Sequence, residues 1–171
     1  MNVLMNAALY QAGWLACTLG AAHGVAWAGP FAATAIIGWH LSRARFPSEE
    51  VMLVAAAAAT GLVFETALLA TGWVAYPGTA SLPGLAPPWM VALWALFATT
   101  FNVSLRMLRA RPAVASLLGA VGAPAAYYAG AGMGALTLVA PGPALAAVAL
   151  GWAIATPMLL RVARRFDGFA A

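Results

Sequence analysis

Apolar residues run along this chain in long blocks, cut by short polar or Pro/Gly-bearing stretches instead of alternating with polar positions. Crossing about 30 Å of hydrocarbon takes about 20 mostly apolar residues in a helix. Six blocks meet that scale, at roughly 3–21, 25–42, 51–74, 88–109, 113–138 and 143–163. The pattern predicts an all-α fold, a polytopic membrane protein whose residues 1–171 form a single bundle of six transmembrane helices. Only Ala22, His23 and Gly24 separate the first two blocks, which predicts a tight helical hairpin in preference to a re-entrant pair. The connection from Tyr76-Pro77-Gly78 to Pro87-Pro88 is uncharged and broken by Pro and Gly. It reads as an irregular loop, a plain connector more readily than a lid.

Charge gives this division a direction. All eight basic residues are arginines, and they fall in three places: Arg43 and Arg45 after the second block, Arg106, Arg109 and Arg111 at the end of the fourth, and Arg161, Arg164 and Arg165 at the end of the sixth. Six antiparallel spans bring those places to one side and leave the opposite connections uncharged. The positive-inside rule then predicts both termini in the cytoplasm. The N-terminal block lacks a basic leader and carries Asn6, Tyr10 and Gln11, so it reads as a retained span and not a signal peptide. Trp27, Trp39, Trp73, Tyr76, Trp89 and Trp94 fall near block ends, as an aromatic belt would.

Composition agrees and excludes much. With 64% hydrophobic and 7% charged residues, against about 25% charged in an ordinary soluble domain, the chain cannot clothe a soluble surface. The mean hydropathy is +0.90. A soluble enzyme or nucleic-acid binder is excluded, and the basic balance implies no nucleic-acid partner. One cysteine, Cys17, rules out an intramolecular disulfide and a thiolate-rich metal site. Neither a metal nor another cofactor is expected. His23 and His40 fall toward opposite ends of the predicted bundle, too far apart to share an ion.

The informative residues are the polar ones at membrane depth. Glu65 lies inside the third block, where a charged group costs on the order of 2–3 kcal/mol by insertion scales. Ala58, Gly61 and Gly72 share its helical face and admit a close neighbour. Without a cation at that depth, a neutral, hydrogen-bonding glutamic acid is the first expectation, and a proton or substrate site the sharper one. Gln11 falls near the midplane and is the expected partner of Glu65; Asn102 and Tyr127 lie at compatible depth. Asn2, Asn6, Tyr10, Gly13 and Cys17 form a stripe on the first block, read as interhelical packing. Arg106 can snorkel to the headgroups and is the candidate lipid-headgroup contact. Gly122, Ala126, Gly130 and Gly134 form a small-residue stripe that predicts close helix packing. Pro124 and Pro157 can kink the last two spans. No catalytic triad, metalloprotease motif, phosphate loop or carboxylate pair occurs, so an enzyme is the less expected reading.

A series of local patterns runs through most of the chain: Tyr10-Gln11-x-Gly13-Trp14, Gly61-x-x-x-Glu65, Tyr76-Pro77, Pro88-Trp89, Leu93-Trp94, Asn102-x-Ser104-Leu105, Tyr127-x-x-Gly130 and Trp152-Ala153 with Pro157. In this series the chain resembles DUF2878, an uncharacterised family of small bacterial inner-membrane proteins. The resemblance implies a multi-pass protein of the bacterial cytoplasmic membrane and loosely implies an accessory role in membrane-lipid metabolism. By the resemblance an aspartate is usual where this chain has Glu65, which keeps the carboxylate but reaches one methylene further, and Glu65, Gln11, Trp14, Trp94, Asn102 and Tyr127 are marked as candidate ligand-binding residues. The leading expectation is a membrane protein embedded in the lipid bilayer that binds a lipid-like or small amphipathic molecule, as a carrier or an accessory to lipid metabolism. The alternatives are a small transporter or substrate-capture subunit, and a ligand-free scaffold for a membrane-protein partner.

Overall fold

The computed structural model describes residues 2–76 and 82–170. The fold is all-helical, with six α-helices among the described residues: α1 (Val3–Ala22), α2 (Ala28–Arg43), α3 (Pro47–Ala70), α4 (Pro88–Phe101), α5 (Pro112–Gly132) and α6 (Pro141–Arg165). The Asn2 side chain caps α1 by accepting from the Leu4 amide at 2.8 Å, satisfying one of the first-turn donors. Helices α3 to α6 each begin with proline, where a missing N–H costs nothing because that donor has no intrahelical partner.

Two expected spans end early. The fourth block was expected to remain helical to 109, yet α4 stops at Phe101, and after a turn the chain resumes as a 3-10 segment, Arg106–Ala110. Asn102 and Ser104 disfavour continuation because short polar side chains compete for the backbone, and both are drawn into tertiary hydrogen bonds here. The fifth block was expected to reach 138, but α5 ends at Gly132. Gly130, Gly132 and Gly134 weaken the helix, and Gly134 takes a φ of 88°. The chain then forms the two-residue strand β2 (Thr137–Leu138), which pairs antiparallel with β1 (Val74–Ala75) just past α3. The connector expected at 75–87 therefore starts inside a small ribbon; its residues 77–81 lie outside those described.

Sequential helices pack as hairpins, α1 on α2, α3 on α4 and α5 on α6, and α4 also meets α1, α2 and α6. Nine of the fourteen residues of α4 are buried, which makes it the central post. Close approach is bought by glycine: a side chain at Gly119 would strike the α6 backbone at Trp152, and one at Gly29 would strike Cys17, which is buried where α1 meets α2. Asn6 ties α1 to the end of α4, donating to the Thr99 carbonyl at 3.1 Å and accepting from the Ser104 amide at 3.3 Å.

Three helices, α3, α5 and α6, are long and apolar enough to cross a membrane. Val63, Leu117, Val121, Leu150 and Ile154 are exposed along them, an apolar surface that water would not tolerate and lipid would cover. Helix α4 is apolar but has 14 residues, about 21 Å of rise. The arginine-bearing segments meet at one end of the bundle. There the Gly168 carbonyl accepts from the Arg45 amide at 2.8 Å, and Asp167 pairs with Arg106 and Arg109. The β1–β2 ribbon marks the other end.

The aromatic belt divides. Trp27 and Trp73 are exposed, but Trp89 and Trp94 are core residues, 2% and 1% exposed. Tyr128, one position from buried Tyr127, points outward at 71% exposure.

Candidate functional site

Glu65 is fully buried toward the ribbon end of α3. Three donors converge on it. The indole Nε1 of Trp94 donates to Oε1 at 2.8 Å, the Tyr127 hydroxyl donates to the same oxygen, and the Tyr76 hydroxyl donates to Oε2 at 2.9 Å. The donors come from α4, α5 and the residue after β1, so one carboxyl joins elements far apart in sequence. Gly61, one turn earlier on α3, supplies the space: a side chain there would occupy the position of the Trp94 ring. The Gly61-x-x-x-Glu65 pattern is thus a notch for an indole with an acceptor at its far end. Tyr76 lies beyond the helix. Burial first, and then the adjacent Glu65, hold its phenol protonated well above the ordinary tyrosine range.

Trp94 and Tyr127 also form part of the wall of a cleft of about 490 Å³ between α1, α4 and α5, with Trp152 and Thr156 of α6 at its floor. Helix α1 packs on α4 and α5 packs on α6, and α1 and α5 do not pack closely on each other, which leaves the cleft open. Trp14 and Tyr10 line it from α1, and Trp89 and Phe97 from α4. Trp94 and Trp152 lie with ring centroids 4.1 Å apart, and Phe97 meets Trp152 edge-on at 5.3 Å. The indole N–H groups of Trp89 and Trp152 and the Thr156 hydroxyl are buried without a hydrogen-bond partner among the described residues. Most buried polar groups find one, and all three of these belong to side chains that line the cleft.

The small stripe of α5 was expected to pack against another helix. Gly122, Ala126 and Gly130 instead line the cleft, and a side chain added at Gly122 would meet only open space. The contact with α6 runs through Ala115, Gly119 and Ala123, the buried residues of the neighbouring face.

A second buried carboxylate, Glu50, lies at the arginine end. His40 Nε2 donates to its Oε2 at 2.7 Å; its Oε1 accepts from Asn102 Nδ2 and, at 3.0 Å, from the Gly168 amide. Asn102 also donates to the Phe166 carbonyl at 2.8 Å. The cluster clamps the turn after α6 against α2, α3 and the end of α4.

The candidate residues therefore separate. Glu65, Trp94 and Tyr127 come together, and Trp14 joins the latter two on the cleft. Gln11 does not partner Glu65: it lies exposed on the outer face of α1, because the buried side of that helix is the Asn6, Gly13 and Cys17 stripe. Asn102 belongs to Glu50, since α4 ends there and the side chain turns to the C-terminal segment. Arg106 pairs with Asp167 at 2.8 Å and donates to the Phe169 carbonyl at 3.3 Å. His23 is exposed and bonds the Leu19 carbonyl at the end of α1, remote from buried His40. Sequence reasoning read Gly61 as room for a close neighbour without naming Trp94, placed Tyr76 in the aromatic belt and not beside Glu65, and missed the His40–Glu50 pair. The last was signalled by a histidine and a glutamate flanking the same arginine-bearing connection.

A family model matches residues 3–158. The chain belongs to DUF2878, a family of proteins of unknown function. No curated protein and no solved structure matches it. The DUF2878 match takes in both carboxylates, their side-chain donors and the whole cleft wall, while Arg161, Arg164 and the segment held by Asn102 follow it.

Proposed function

We propose that this DUF2878 protein is embedded in the cytoplasmic membrane through all six helices and binds a lipid-like or small amphipathic molecule in the aromatic cleft, as a carrier or an accessory to lipid metabolism. The observation that carries this reading is the cleft itself: about 490 Å³, inside the range of about 300–1,000 Å³ usual for small-molecule sites, walled by aromatic rings and small residues. Trp89, Trp152 and Thr156 on its wall carry donors with no partner among the described residues, and a small turn of these side chains would offer them to a ligand with an apolar body and an acceptor oxygen. Glu65 serves by orientation. It holds the Trp94 indole and Tyr127 phenol that line the cleft, and the ligand meets those rings in place of the carboxyl.

The test is mass spectrometry of lipids co-purifying with wild type and with Gly122→Leu. The leucine projects into open space, so the variant should keep the wild-type melting temperature and lose a near-stoichiometric ligand. The same ligand in equal amount on both proteins overturns the reading.

A second reading rests on the four-residue spacing of Gly122, Ala126 and Gly130 along the cleft wall, the spacing that seats a neighbouring membrane helix. Under it, Gly122→Leu abolishes association with a membrane-protein partner and leaves lipid content unchanged.

A further inference from the structure

The arginine end holds a second cavity, of about 340 Å³, between the 3-10 segment, the start of α5 and the last turns of α6. Arg109, Arg161 and Arg164 line it, with Pro112, Pro157 and Leu160 as apolar wall. We propose that these three arginines form a binding site for a phosphate group.

Arg161 and Arg164 lie one turn apart on the same face of α6. Neither makes an ion pair or a side-chain hydrogen bond among the described residues. The nearby acid is already committed, because Asp167 accepts from Arg106 and Arg109 at 2.8 Å each. Arg109 is fixed by that pair and by donation to the Ala163 carbonyl at 3.0 Å, and its buried Nε keeps no partner among the described residues. No carboxylate lines the cavity. One guanidinium held in place and two free ones on an adjacent turn give a cationic recess whose planar forks match phosphate oxygens. The first-turn N–H groups of α5, which begins at Pro112, add partial positive charge. Topology alone asks for arginines on this side of the membrane, but it does not ask that they share a cavity. Arg43 and Arg45 do not: they lie over the Trp39 and Phe46 rings.

The phosphate can come from a lipid headgroup or from a solute, and one experiment separates the sources. Full-length protein in micelles is given equal phosphatidic acid and diacylglycerol of the same chains, and retained lipid is read by native mass spectrometry. Wild type should prefer phosphatidic acid by about tenfold, the value of one charge-assisted hydrogen bond. Arg161→Gln with Arg164→Gln should lose that preference, and Arg43→Gln with Arg45→Gln should keep it. Because both altered pairs are exposed, unchanged melting temperatures establish that folding is intact. Displacement of the lipid by millimolar pyrophosphate assigns the site to phosphate from solution, and retention assigns it to the headgroup. Equal retention of the two lipids, or equal loss from both double variants, overturns the proposal in favour of a diffuse basic surface.

Discussion

Glu65 and Glu50 lie on the same helix, about 22 Å apart along its axis, and each is fully buried with three donors. The donors differ in kind. Glu65 collects two phenols and an indole, and two of these amphipathic rings, Trp94 and Tyr127, line the cleft while their polar atoms satisfy the carboxyl. Glu50 collects an imidazole, an amide side chain and a backbone N–H, none of which lines the cleft. One centre shapes a surface, and the other fastens a segment. A buried membrane carboxylate is therefore informative less by its own depth than by what its donors do with their other faces.

The comparison breaks most severely at Gly61. Gly61→Val drives a side chain into the Trp94 ring, so it loses the indole bond to Glu65 and strains the α3–α4 contact together. Overpacking alone costs about 1–3 kcal/mol, and the combined loss should be about 3 kcal/mol or more, read as a large fall in melting temperature in micelles. A glycine to valine change at Gly38, where an added side chain meets nothing, is the control.

Glu65→Leu and Glu50→Leu come next; each removes the acceptor shared by three donors, at about 1–3 kcal/mol for each donor left buried and unpaired. Similar destabilisation with different consequences is expected. Glu65→Leu should abolish ligand retention, because Trp94 and Tyr127 lose their orientation. Glu50→Leu should leave ligand retention intact and expose the chain after α6 to limited proteolysis. Equal loss of ligand in both variants would erase the distinction between the centres. His40→Ala is the milder form of the second, removing one donor for about 1 kcal/mol with the same protease signature.

The arrangement was partly legible beforehand. Helix number and the gathering of arginines at one end follow from the lengths of the apolar blocks and the spacing of charge between them, which short sequence windows record. Glu65 stood out since a lone acid in an apolar block has few explanations. Its partners did not. Depth along a helix can be counted, but the face a side chain turns to depends on which neighbour packs there, so Gln11 was matched to Glu65 by depth and proved to face outward. Trp89 and Trp94 were placed in a belt by their nearness to a block end, although they are core residues. The early end of α4 decided Asn102: a residue expected inside a helix became the one leaving it, and its side chain was free to reach Glu50 and Phe166. The small stripe of α5 carries the spacing of a packing face whether a helix of this chain fills it or not.

The smallest effect concerns Tyr76, the donor to Glu65 that lies outside the helices and has no counterpart at Glu50. Its phenol is held protonated above the ordinary value in the folded protein, which is about 10 in an unfolded chain. Above that pH the folded state keeps a proton that the unfolded chain has released, so stability falls as pH rises. Below it both states are protonated and the contribution is constant. Melting temperature should therefore decline above about pH 10, and Tyr76→Phe, which removes the titrating hydroxyl together with one bond to Glu65, should lower stability at neutral pH while flattening that decline. A variant with the wild-type slope would show that the phenol does not titrate against the fold, and would leave the Glu65 centre resting on Trp94 and Tyr127 alone.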